Sequence, residues 1–413
     1  TSDGRNRGGT QAPPWPEAAS TLNKNYTGTV YRLSSKGCLS VGARLMVAED
    51  GSSVSIHPEP GKHIYGLDIL RLVSAIAVML FHFAFRGEAA GELPAVDIPH
   101  FMKSVASYGY LGVSIFFIIS GFVIAYSAEG QKPFNFLISR FSRIYPTFLI
   151  IMSVSALVIW LSGNPLFQIS SDQYLANIFI FSKLLGQSFV DGAYWSIVLE
   201  LIFYGWIFIL IALGQFHNII RIIPLWLGFS FLNEFYIGSE HLQNLFITEY
   251  SGFFAMGIIY SRLRRQRSFY AVLLFILAAI FAIYTTLAGA EWAEKTYSIK
   301  RSPVAMTAII LASIAVLLLL TKLNIGQKHQ RMLGTLGGMT YALYLVHQNV
   351  GYIAITALLS NLGPVTAIVI TMIGLILFAT LFHVVVERRI NPMIKKKLLL
   401  LVDRSLRSER VSI

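Results

Sequence analysis

The stretch Asp68–Phe83 reads DILRLVSAIAVMLFHF. It is the first strongly apolar run of the chain, yet it carries three ionisable side chains, Asp68, Arg71 and His82. A run of this kind suits either a buried core helix or a membrane span, and the rest of the chain decides between them. Of 413 residues, 55% are hydrophobic and only 13% are charged, with a mean hydropathy of +0.62. A soluble protein of this size needs more charge than that to cover its surface. Apolar runs recur near 64–85, 108–127, 144–162, 194–214, 218–232, 244–262, 269–289, 302–321, 336–360 and 363–386. The expected fold class is therefore an all-α polytopic membrane protein, a bundle of about ten transmembrane helices. The fifth run is the shortest, and LANIFIFSKLLG at 175–186 is too short to span and is expected at the interface.

Loop charge sets the expected orientation. With the amino terminus on the cytoplasmic side, inner loops and the tail hold nineteen Lys and Arg residues and outer loops hold six, leaving 1–62 aside. Both termini are then cytoplasmic by the positive-inside rule. The same bias accounts for the net charge of +12 and pI near 9.7 without nucleic acid as a partner. The single Cys38 excludes a disulfide framework and any multi-cysteine metal site, and no metal is expected. Residues 1–62, rich in Gly, Pro, Ser and Thr, are expected to be a flexible or tag-like extension. The membrane domain is expected over 63–392, with a basic cytoplasmic tail over 393–413 and no further domain after it.

An arginine and a histidine inside a span need a reason. Eleven residues at about 100° each bring His82 to within roughly 20° of Arg71, about 16 Å further along the helix. Ala75 and Val78 lie between them on that face, small enough to leave a slot. The bland alternative is that Arg71 snorkels to the interface and His82 marks a helix end. Intramembrane ionisable groups more often face a cavity and act there. In YWSIVLELIFYG, Ser196, Glu200 and Tyr204 share a face by i, i+4 spacing, at a depth within a turn of His82. Glu200 is thus a candidate to orient the His82 ring and raise its basicity, or else to pair with an arginine. Arg140 and Arg143, one turn apart, suit a phosphate-bearing ligand or serve as ordinary inner-side anchors. Asp68, Tyr341, Tyr344 and His347 join Ser196 and Tyr204 as candidate cavity-lining residues. His383 and Glu387 are expected at the interface, and Gly109, Gly112 and Gly121 at close helix contacts.

Six blocks in this order, LDILRLVSAIAVMLFHF, GYLGVSIFFIISGFVI, RFSRIYP, WSIVLELIFY, GMTYALYLVH and VERRINP, resemble the membrane-bound acyltransferase family 3, which includes bacterial O-antigen and exopolysaccharide O-acetylases. The resemblance covers residues 64 to 392 and is specific to the family, not to a substrate. It implies transfer of an acyl group, commonly acetyl from acetyl-CoA, to a saccharide hydroxyl in the bacterial inner membrane. It assigns Arg71 and His82 to the family's R-x10-H pair, Arg140 and Arg143 to its R-x-x-R motif, and Glu200 to the W-S-x-x-x-E glutamate. On that basis the cofactor-binding residues are Arg71, Arg140 and Arg143, with acyl-CoA as donor substrate. His82 is the expected base or transient acyl carrier. The partners implied are the lipid bilayer, acyl-CoA and a saccharide acceptor such as lipopolysaccharide. A secondary transporter or flippase would share the buried Arg, His and Glu, but no half-to-half repeat of the transporter kind is evident. An assembly subunit that had lost its chemistry would be expected to lack the Arg71/His82 pair.

Overall fold

The computed structural model describes residues 32–33, 39–40, 43–46, 55–58, 63–95, 97–297 and 299–411. The chain divides into two units, Thr1–Pro60 and Gly61–Ile413. In the first, strand β1 (Arg32–Leu33) pairs with β2 (Leu39–Ser40) and β3 (Ala43–Met46) with β4 (Ser55–Pro58), both antiparallel. The flexible extension expected over 1–62 otherwise lies outside the described residues.

Every described element of the second unit is helical. The helices are α1 (Tyr65–Ala89), α2 (His100–Ala106), α3 (Leu111–Ala128), α4 (Pro133–Ser162), α5 (Ser171–Asn177), α6 (Trp195–Ala212) and α7 (Ile219–Leu232). They continue with α8 (Glu240–Phe246), α9 (Ser251–Leu263), α10 (Phe269–Tyr297), α11 (Pro303–Leu320), α12 (Gln327–Leu359), α13 (Pro364–Phe382) and α14 (Arg388–Val411). Local sequence sets several starts: α4, α11 and α13 each open on a proline at the first helical position, where the missing N–H has no helical partner to lose. Ser302 caps α11 by accepting from the Ala305 N–H.

Eight segments among the described residues are long and apolar enough to cross a membrane, so the chain is a polytopic helical membrane protein. Two of the ten expected spans fall short. The run at 218–232 forms α7, whose fourteen residues rise about 21 Å before a π turn at Asn233–Ile237. The run at 244–262 contains a break at 247–250, and only the thirteen residues of α9 are apolar helix there. Periodicity does not give the length of an uninterrupted helix, and α9, with every residue from Ser251 to Ser261 buried, is too short to count among the eight. The run at 175–186 becomes α5's last residues and a short 3-10 turn at Ser182–Leu185, as its length required. The basic tail is helical through Val411.

Burial separates inner from outer helices. Within the most apolar eighteen residues of each, 72% are buried in His100–Ala128, 61% in α1 and 56% in α12, whereas 22% are buried in α11, which exposes large apolar side chains such as Leu311 and Leu319. Lipid is the solvent that such a face needs. In lipid, helices gain little from apolar burial alone, so close approach has to do the work. At the α3–α9 crossing a Cβ on Gly121 would collide with the Phe254 carbonyl oxygen, and one on Gly257 with that of Ile118. Each helix therefore lays its backbone in a notch of the other. Helix α1 packs between α3 and α12, which places Arg71 and His82 inside the bundle.

Candidate active site at the α1, α4, α6 and α12 junction

The two ends of α1 are built differently. Near its start, Arg71 donates to Asp68 Oδ1 at 2.9 Å, and His63 Nε2 lies 2.5 Å from Asp68 Oδ2. Asp68 is only 2% exposed because it rests on Gly337 of α12, where any β-carbon would collide with it. Arg71 is therefore held against a buried carboxylate. Arg143 lies within electrostatic reach of Arg71, and Tyr204, Arg143 and Glu200 within reach of Arg140. Arg140 is buried, donating to Ser127 Oγ at 3.0 Å with its guanidinium 5.4 Å from the Phe136 ring, while Arg143 is exposed. The Nε–H of Arg140 is buried without a partner. Like charges gathered so closely inside a membrane protein call for an anionic group among them.

Toward the other end, His82 opens a π turn, His82–Arg86, in the helix, and such turns are frequent at functional sites. His82 lies 2.9 Å from the Val78 carbonyl through Nδ1. A carbonyl only accepts, so Nδ1 carries the proton and Nε2 keeps its lone pair. His347 Nδ1 likewise donates to the Tyr344 carbonyl at 2.7 Å, leaving its own Nε2 to accept from His82 Nδ1 at 3.3 Å. The two rings stand edge to face at 4.8 Å. In its neutral form His82 therefore has one defined basic nitrogen, Nε2, and its N–H is shared between two acceptors that would hold the charge if Nε2 took a proton. Gln348, 3% exposed, hydrogen-bonds His82 as well.

This geometry revises two expectations. Glu200 is not the group beside His82. Its Oε1 accepts from Ser120 Oγ of α3 at 2.9 Å and from Tyr204, one turn on in α6. The residue of α6 that lies toward the histidines is Ser196, 2.7 Å from the hydroxyl of Tyr344, whose ring is 5.4 Å from that of His347. Helical spacing placed Glu200 at the right depth only to within a turn, about 5.4 Å, and that is enough to move it from the histidines to the arginines. The slot along Ala75 and Val78 is also closed. These side chains are 2% and 1% exposed, and Val78 fills the space a β-carbon on Gly112 of α3 would need. A small residue leaves a gap only if no neighbour moves in, and glycines on the facing helix let α3 do so.

The remaining candidates fall into place. Tyr341 donates to the Ile144 carbonyl of α4 at 3.3 Å, so it ties α12 to α4. His383 and Glu387 pair at 2.5 Å, with His383 set against Gly338. Outside the span, Asp191 caps the turn before α6, accepting from the N–H groups of Ala193 and Asn349 at 2.9 Å each. Burial pushes the Asp191 carboxyl up to about 7, against the pull of those two donors. Sequence reasoning missed Ser120, Gln348 and Asp191, although Ser120 precedes Gly121 in FFIISGF and Gln348 directly follows His347.

If His347 holds the His82 proton in place, removing it should lower turnover more than it weakens substrate binding. His347→Ala is expected to lower kcat about 30-fold with KM little changed, and His347→Gln, which keeps an acceptor, about 5-fold. Equal effects on kcat and KM for both variants would count against this role.

The description Acyltransferase domain matches residues 64–384. A curated relative, acyltransferase MdmB of Streptomyces mycarofaciens, is 25% identical over 162 residues, 38% of this chain and 39% of the relative. The match thus spans well under half the length of that relative. No solved structure matches the chain.

Proposed function

The chain belongs to acyltransferase family 3, its membrane unit matching the acyltransferase domain over residues 64–384, and from this we propose that it moves an acyl group, most simply acetyl, from cytoplasmic acyl-CoA to a hydroxyl of a cell-envelope saccharide in the bacterial inner membrane. The observation that carries the proposal is the division of α1. A buried histidine with a defined basic nitrogen lies about 16 Å along one helix from a cluster of arginines. Arg71, Arg140 and Arg143 would bind the phosphates of the donor, for which guanidinium forks are well suited. Glu200 and Tyr204 border that cluster and would keep the arginine forks apart and oriented.

At the other end, His82 Nε2 would take the proton of the acceptor hydroxyl as its oxygen bonds to the thioester carbonyl carbon. When the C–S bond breaks, the departing thiolate would receive that proton from His82, so the base is restored. The shared Nδ1–H lets His347 and the Val78 carbonyl hold the imidazolium while it lasts. With the Ala75/Val78 strip closed, the donor arm would run beside that strip, past the partly exposed Leu72, Ile76 and Leu80 of α1.

The reading is tested with detergent-purified protein, acetyl-CoA and an envelope glycan extract, following free thiol and the mass of the glycan. Thiol release matched by a gain of one acetyl mass on glycan is expected without any membrane gradient. A transporter would release no thiol, and absence of both signals would overturn the proposal.

A further inference from the structure

Helix α12 carries His347 to His82, and a four-residue loop from elsewhere in the chain grips α12 on both sides of that histidine. The loop is Val190–Ala193, directly before α6. After His347, buried Asp191 accepts from the Asn349 N–H through Oδ2 at 2.9 Å, and the Asn349 side chain donates back to the Val190 carbonyl at 2.9 Å. Before His347, the Tyr344 hydroxyl and Ser196 Oγ both lie on the Ala193 carbonyl, at 3.3 and 3.2 Å. Between these contacts Gly192 rests on Gln348, the residue that hydrogen-bonds His82. A β-carbon on Gly192 would come within 2.6 Å of Gln348 Nε2 and 3.0 Å of Oε1. The loop is held from behind as well, since buried Asn177 of α5 donates to the Ser188 carbonyl at 2.9 Å and accepts from the Val190 N–H at 3.1 Å.

Resting on the acyl-transfer reading, we infer that Val190–Ala193 is a positioning clamp for the His82/His347 pair: Asp191 fixes α12 beside His347, and Gly192 sets the Gln348 amide on His82. The choice of residue at 191 supports this. Capping the turn needs one acceptor, which Oδ1 supplies to the Ala193 N–H at 2.9 Å, and an uncharged serine or asparagine would do it at lower desolvation cost. A carboxylate has two acceptor oxygens, and the second is the one that reaches α12. At position 192 any side chain would push the Gln348 amide away. General bases work only when held to within a fraction of an ångström, and a misplacement of about 1 Å can cost about 10²-fold in rate.

The test uses the full-length protein in detergent and measures thiol release at saturating acetyl-CoA with the envelope glycan extract, acetyl-CoA affinity by titration, and Tm. Gly192 opens the 3-10 turn Gly192–Tyr194 without a positive φ, so alanine suits its backbone, and the group it meets is the end of a flexible side chain. Gly192→Ala is therefore expected to keep its Tm and its acetyl-CoA affinity to within about twofold, yet to lower turnover about tenfold. Gln348→Ala is expected to lose about as much. The double variant Gly192→Ala/Gln348→Ala is expected to be no slower than Gln348→Ala, because the added methyl then has no amide to displace. Asp191→Asn, which keeps one acceptor and sets an amide NH2 against the other donor, is expected to lower turnover about fivefold with donor affinity unchanged. Parental turnover in Gly192→Ala, losses that multiply to about 100-fold in the double variant, or a fall in acetyl-CoA affinity or Tm in step with turnover would each overturn the clamp. Absence of thiol release from the parent protein would instead count against the acyl-transfer reading.

Discussion

His82→Ala is expected to lower acyl transfer by about 10³-fold, since positioned general bases contribute roughly 10²–10⁴ to rate. The protein should still insert and purify, because the ring is one of many buried groups and its loss leaves Val78 and His347 with acceptors, not orphaned donors. Acetyl-CoA affinity should change little, since the phosphates are proposed to bind three helical turns away. The measurement is thiol release at saturating acetyl-CoA, alongside a melting curve. Activity within about tenfold of the parent would remove His82 from the chemistry.

The second large effect is on donor binding. Arg71→Ala is expected to weaken acetyl-CoA about 100-fold in a binding titration, the scale of losing charge-assisted hydrogen bonds to phosphate, with Arg71→Lys intermediate because an ammonium lacks the guanidinium fork. The substitution also leaves Asp68 buried at 2% exposure with only His63 as a partner, so the double variant Arg71→Ala/Asp68→Asn is the control for folding. If that double variant bound acetyl-CoA like the parent, the arginine end would not be the phosphate site.

Much of this was legible in one dimension. Hydropathy marked the spans because a lipid-facing helix must be apolar over about twenty residues. A spacing of eleven positions from Arg71 to His82 puts both on one face of α1 because helical geometry is local. The family's motifs led to the arginines and to His82, and pairs such as Glu200–Tyr204 and His383–Glu387 follow from i, i+4 spacing alone.

Which groups meet across helices was settled only by packing. Spacing along α6 could not tell that Ser120 would claim Glu200, or that Ser196 would reach Tyr344, because those partners lie 80 and 148 residues away in the chain. His347 became the neighbour of His82 because α12 lies against α1, brought close where Asp68 sits on Gly337. The same close approach, of α3 at Gly112, shut the gap that small side chains had promised. Periodicity belongs to a single helix and is written in its residues, whereas the choice of facing helix depends on the fit of all surfaces at once.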